Sequence, residues 1–328
     1  MSNAKKITII ILLLLTGTLI GLVSLKLYDR SKPEPEVTEP LVYTEINDTD
    51  ISPEKETEQE ITNEISDDEE IPEENRSLID PEGDTLKTRI LTPEGYERTN
   101  EDQTGLGEFL RNYHMLPDNS PVLYYDGTVK ANHHAACVFD MYISDKDLQQ
   151  CADSVMRVYA EYMRSCGMED KIAFHFVNGF LCDWASYKSG LRISVNGNDV
   201  TWTGGGEASD SDATFEKYLE TVYNYASTLS LDKESYDIEL SDIQIGDIFV
   251  KGGSPGHVVM VVDICENNGK KAFLLAQGYM PAQQFHVLIN EDHESDPWYY
   301  EDEITYPFVT PEYVFNDKCL KRPGYLTE

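Results

Sequence analysis

Apolar residues fall into one long unbroken run, two helical stripes and a series of short extended stretches. The unbroken run comes first, from Ile7 to Leu25, directly after Lys5 and Lys6. A run of that length can cross a hydrocarbon layer about 30 Å thick, and the two preceding lysines predict an N-terminus that stays on the cytoplasmic side. It is longer than the ~7–15 apolar residues of a cleaved signal peptide. Residues 1–30 therefore read as a signal anchor, with a cleaved signal peptide as the alternative. Either way, the rest of the chain is expected to be exported.

The stronger helical stripe is Leu148, Cys151, Ala152, Val155, Tyr159 and Tyr162. Its i, i+3, i+4 spacing predicts a helix with one buried face, capped at Ser144 or Asp145 and ended near Gly167. The second covers Phe215 to Leu229, where Tyr218, Leu219, Val222, Tyr223 and Ala226 share a face read as core. A short helix is expected over Gly107 to Tyr113. Strands are expected over Pro121–Tyr125, Ala136–Ile143, Lys171–Val177 and Phe285–Ile289, and over Leu191–Val195 and Asp199–Trp202 around an Asn196-Gly197 turn. Tyr306 to Phe315 closes the domain, and the residues after it are expected to be loose.

The clearest pattern is Gly246 to Gln283. Asp247–Lys251 is a short apolar strand, and Gly252 to Gly256 make a tight reversal. Val258–Ile264 is a β-branched run of the kind found in buried strands. Glu266–Gly269 turns the chain into Lys271–Ala276. His257 enters the second strand and Gln277 ends the third, so hairpin pairing brings a titratable ring near an amide able to orient it.

Between the apolar run and these elements lies a polar stretch, Ser31 to Gly83, with 19 acidic and 3 basic residues. Such a composition cannot bury enough apolar surface to offset chain entropy, and like charges keep it extended. Residues 31–83 read as a disordered tether and residues 84–328 as one large domain. Of the chain's net charge of −34, the tether carries −16 and the first 30 residues +3, which leaves −21 for the domain. That charge repels phosphate backbones, so nucleic acid is not an expected partner. Cys137, Cys151, Cys166, Cys182, Cys265 and Cys319 include no CxxC and no zinc-ligand spacing. No metal or cofactor is expected.

Cys151 has two readings. It is a small apolar residue on a buried stripe, or it is a nucleophile at a helix start, where unpaired N–H groups favour a thiolate. The run GDIFV, the Gly-Pro turn and GHVVMVVD resemble the His-bearing hairpin of papain-like cysteine amidases and peptidases of the NlpC and CHAP types. Over about Leu91 to Phe315, through DLQQCAD, FVNGF, SPGHVVMVVD and LLAQGYMPAQ, the chain is similar to a family of secreted bacterial proteins described only as a domain of unknown function.

The first resemblance implies an α+β, papain-like fold: an antiparallel sheet packed against a Cys-bearing helix. It also implies that Cys151 attacks a carbonyl, that His257 is its base, and that Gln277, or Gln283 as runner-up, orients the imidazole. Gln150, with Gln149, is a candidate for polarising the carbonyl. Tyr279 and Gln283 fall in a loop placed to line a substrate groove. Gln150-Cys151 is followed here by Ala152-Asp153, where CHAP-type proteins carry a polar or aromatic residue first. The implied activity is an extracytoplasmic cysteine hydrolase or transferase acting on an amide or peptide bond, cell-wall peptide foremost. The implied partners are that substrate and, through the anchor, a membrane. A binding module that has lost its chemistry, or a membrane-tethered structural partner, are the other classes.

Overall fold

The computed structural model describes residues 77–131 and 134–326. The expected anchor and most of the expected tether lie outside these residues. Among the described residues, no helix is long and apolar enough to cross a membrane. The structured chain begins earlier than composition suggested. Ile79 bridges to Ile90, the Leu78 N–H donates to the Ser295 carbonyl (3.1 Å), and the Gly83 carbonyl accepts from the buried Arg89 guanidinium. Residues 78–83 therefore belong to the domain, because long-range partners outweigh a polar composition.

The elements run α1 (Leu86–Arg89), β1 (Glu97–Arg98), α2 (Leu106–Arg111), β2 (Ala135–Val138), α3 (Cys151–Ser165), β3 (Ala173–His175), β4 (Leu181–Asp183) and α4 (Trp184–Lys188). There follow β5 (Arg192–Asn196), β6 (Asp199–Thr203), α5 (Asp212–Tyr225), α6 (Thr228–Lys233), β7 (Ser235–Asp237), β8 (Ile248–Lys251), β9 (His257–Asn267) and β10 (Lys270–Gln277). The last are β11 (His286–Leu288), β12 (Tyr299–Tyr300), β13 (Phe308–Thr310), β14 (Tyr313–Phe315) and β15 (Leu320–Pro323). Helices and an antiparallel sheet make this an α+β fold.

The main sheet runs β2-β11-β10-β9-β8-β15-β7, with β1 added beside β9 and β12 beside β10, and each pairing is antiparallel. β9 is its spine. Val258, Met260 and Val262 pack into one core cluster with Val155, Val158 and Tyr159 of α3. Val259 and Val261 point the other way, into a second cluster with Phe249, Phe273 and Phe315. Burial on both faces is why this strand is an unbroken apolar run and not an alternating one.

One polar residue interrupts the run. Asp263 is fully buried where the pairing of β9 with β10 shifts register. It accepts 2.7 Å hydrogen bonds from Arg98 Nε on β1 and from Arg111 Nε on α2. The ion triad ties the front of the domain to its central strand.

Three sequence expectations change. Pro121–Tyr125 forms only isolated bridges, at Leu123 and Tyr124. The hairpin of β5 and β6 pairs Asn196 with Asp199, so its two-residue turn is Gly197-Asn198. The C-terminal stretch is not loose. β15 pairs with both β7 and β8, and Arg322 grips the buried Asp247 with two bonds of 2.7 and 2.9 Å.

Candidate functional site

The site is built where the N-terminus of α3 meets the ends of β9 and β10. The helix starts six residues after Asp145. The Gln150 N–H is taken by the Asp153 carboxylate at 3.0 Å, and the Ser154 N–H donates to the Gln150 carbonyl at 3.0 Å. Gln150 is therefore the N-cap and Cys151 the first helical residue. The loop after β10 comes close at Gly278, where an added Cβ would overlap Ser154 Oγ and stand 3.1 Å from the Gln150 carbonyl. Ser154 Oγ is itself held by the Gln150 carbonyl at 2.8 Å, so it cannot easily give way. Gly278→Ala is expected to cost about 1–3 kcal/mol through this overlap. Thermal or urea unfolding reads it directly.

Cys151 and His257 border one cavity of about 680 Å³, together with Gln150, Asp153, Tyr223 and Tyr279. Both are buried, at 9% and 2% exposure. The nearby N–H groups of Ala152, Val258 and Cys151 itself favour a thiolate, but burial outweighs them. Desolvation first, and the neighbouring Asp153 carboxylate second, push the Cys151 thiol up to about 12. The helix start alone predicts the opposite direction. Among the described residues no hydrogen bond joins the sulfur to the imidazole. The resting pair is a neutral thiol beside a neutral ring.

The orientation of His257 is fixed by a chain of polar groups. Its Nε2 bonds to Gln277 Oε1 at 2.7 Å, the Gln277 amide nitrogen donates to Glu312, and Glu312 pairs with the buried Lys130. A carboxylate only accepts, so the Gln277 NH₂ must face Glu312 and its oxygen must face the ring. The ring proton then sits on Nε2, and Nδ1 keeps the lone pair. The rings of Tyr279, Tyr313 and Phe315 surround the imidazole, with centroids 4.6, 5.0 and 6.1 Å away. Burial among them pulls His257 down to about 4, against the opposing pull of the Gln277 bond and the Glu312 charge.

That shift has a consequence for stability. A histidine neutral in the fold and titrating at 6.5 when unfolded contributes stability that is fully present above pH 6.5. It is lost as pH falls toward about 4, a change of roughly 3 kcal/mol. Asp153 acts in the reverse sense, since burial raises its carboxyl to about 8. Its contribution is fully present below pH 3.8 and is lost as pH rises through 8. Comparing Tm from pH 7 to 4 in wild type and His257→Gln isolates the histidine, and the wild type is expected to lose more.

The remaining predicted residues are placed as follows. Gln150 lines the cavity, its amide donating to Asp147 at 3.0 Å. Gln149 is buried beneath it, its oxygen accepting from Arg157 Nε at 2.7 Å. Tyr279 lines the cavity and its hydroxyl donates to the Glu312 carbonyl at 3.3 Å. Gln283 does not line it. It is 1% exposed and bridges to Tyr124, so Gln277 and not Gln283 meets the ring. Glu312 and Lys130 were not predicted. They stand 182 residues apart with no pattern around either. A separate cavity of about 510 Å³ around Phe109, His114 and Cys166 holds none of the predicted residues.

A family model described as a domain of unknown function (4846) matches residues 86–322, most of the chain. The chain belongs to this family. No curated protein and no solved structure matched it. The family's description assigns no chemistry, so the reading of the 4846 domain rests on its own site.

Proposed function

We propose that this 4846 domain is a papain-like cysteine hydrolase or transferase that cuts or exchanges an amide or peptide bond outside the cytoplasm. The observation that carries the reading is the oriented His257. Its Nε2–H is committed to Gln277, and its Nδ1 is left as the base in a cavity shared with a cysteine at a helix N-terminus.

In this mechanism Cys151 Sγ attacks the carbonyl carbon as its proton passes to His257 Nδ1. The first N–H groups of α3 receive the oxyanion. The tetrahedral intermediate collapses, the C–N bond breaks, and the imidazolium gives its proton to the departing amine. Water, or an acceptor amine, then attacks the thioester with His257 again as base. Glu312, acting through Gln277, favours the transient imidazolium. Because the resting pair is neutral, the proton moves during attack and is not transferred beforehand.

The order of helix, hairpin and orienting amide supports the papain-like reading, and export follows from the predicted anchor. Cell-wall peptide is the first substrate to try, by analogy with the enzymes the hairpin resembles. Incubation with purified cell-wall peptides and a panel of peptide amides, read by mass spectrometry for new amine termini, tests the proposal. Cleavage by wild type that disappears in Cys151→Ala is expected. Failure to cut any of them, with an unreactive thiol, overturns it. The high thiol pKa and the missing S–N bond favour a second reading, a binding module that has lost its chemistry.

A further inference from the structure

We infer that the cavity contains a subsite for a primary ammonium group, built from Asp153 and Tyr223, and that the substrate carries a free amine a few atoms from the bond attacked. The inference rests on Cys151 being the nucleophile. It starts from two groups the proposed mechanism does not use.

Asp153 is 6% exposed and Tyr223 7%, and both line the cavity beside Cys151. Asp153 Oδ2 caps the helix through the Gln150 N–H. Its Oδ1 has no partner, and neither has the Tyr223 hydroxyl. Buried polar atoms are nearly always paired, so two orphans on residues that line one cavity point to a group that arrives from outside.

The charge of the cavity selects the kind of group. Its lining includes Asp147 and Asp153 and no lysine or arginine. Arg157, close to Tyr223, is already held by Glu161, Glu216 and Gln149. An ammonium has three donors and no acceptor, so it suits a carboxylate oxygen and a phenol oxygen together. An arriving cation also favours the ionised form of a carboxyl that burial otherwise keeps protonated. Asp153 and Cys151 both belong to the first turn of α3 and line the same cavity, which places the amine and the scissile carbonyl in one space. The amine is either a peptide's α-amino terminus or the end of a short side chain.

The test uses three thiosulfonates of equal reaction and different charge, on the Cys166→Ser protein to remove the exposed thiol. In each, the Cys151 sulfur forms a disulfide with the reagent's sulfenyl sulfur and methanesulfinate leaves. The neutral methyl reagent sets the baseline, and the 2-aminoethyl and 2-sulfonatoethyl reagents carry opposite charge. The cationic reagent is expected to label Cys151 at least about tenfold faster than the anionic one. Asp153→Asn, which keeps an oxygen for the Gln150 N–H, is expected to collapse that ratio. The ratio, unlike either rate, is insensitive to any change in the thiol pKa. No charge preference, or a preference that survives Asp153→Asn, overturns the subsite.

Protection of Cys151 by alaninamide or by Nα-acetyl-lysinamide, with Nα-acetyl-alaninamide as control, distinguishes the α-amine from the side-chain amine. If even the neutral reagent leaves Cys151 untouched in folded protein, the nucleophile fails separately. The subsite is then read by NMR on Cys151→Ala. Shifts at Asp153 and Tyr223 with ethylammonium and not with ethanol support it, and their absence overturns it.

Discussion

His257→Ala is expected to slow alkylation of Cys151 by iodoacetamide roughly 100-fold or more at pH 7, the usual scale of a lost general base. The two resting protonation states set this effect. A thiol held near 12 contributes almost no thiolate at neutral pH, so it reacts only if a base removes its proton during attack. His257 is neutral down to about 4 and lines the cavity with its Nε2 bound to Gln277, which leaves Nδ1 free to accept a proton. Without it the backbone N–H groups near the sulfur cannot accept a proton, and the neighbouring Asp153 carboxyl, bound to the Gln150 N–H, opposes the thiolate. Glu312→Gln is expected to give a smaller loss, because it keeps an acceptor for Gln277 but removes the charge that favours the imidazolium. Circular dichroism shows whether either variant is folded.

Asp263→Ala is expected to destabilise the domain by about 3–5 kcal/mol, since it leaves two guanidinium groups facing an apolar strand without their counter-charge. Arg111 is 4% exposed and would keep only the Thr99 and Ile264 acceptors. For a domain of this size the loss lowers Tm by roughly 10 °C or more. Thermal unfolding measures it. Cys151 chemistry in the surviving folded fraction should be little changed, because Asp263 lies six residues along β9 from His257. A replacement that cost under about 1 kcal/mol would show that the triad is dispensable.

The sequence exposed what local pattern can encode. The β9–β10 hairpin was readable because a strand buried on both faces is a continuous β-branched run, and its two ends then carry His257 and Gln277 to one place. The α3 stripe was readable for the same kind of reason. Its start was not, because the N-cap is Gln150, held by the Asp153 carboxylate, and not the Ser144 or Asp145 upstream. Groups joined only through space left no trace. Lys130 and Glu312 are single charged residues in loops, and Tyr223 sits on a helical stripe that reads as plain core. Asp263 drew no notice inside its apolar run, since its two arginines come from other elements. The direction of the Cys151 shift also needed the fold, because a helix N-terminus and burial act oppositely and only burial depends on tertiary packing.

The measurement that reaches the central claim most directly is the rate of Cys151 alkylation by iodoacetamide from pH 4 to 9, located by mass spectrometry, in folded and in unfolded protein. If Cys151 and His257 work as nucleophile and base, the folded thiol reacts across this range, keeps its rate down to about pH 5, and loses it as the ring protonates near 4. If Cys151 stays unmodified until the protein unfolds, the sulfur is a packing atom and the hydrolase reading is wrong.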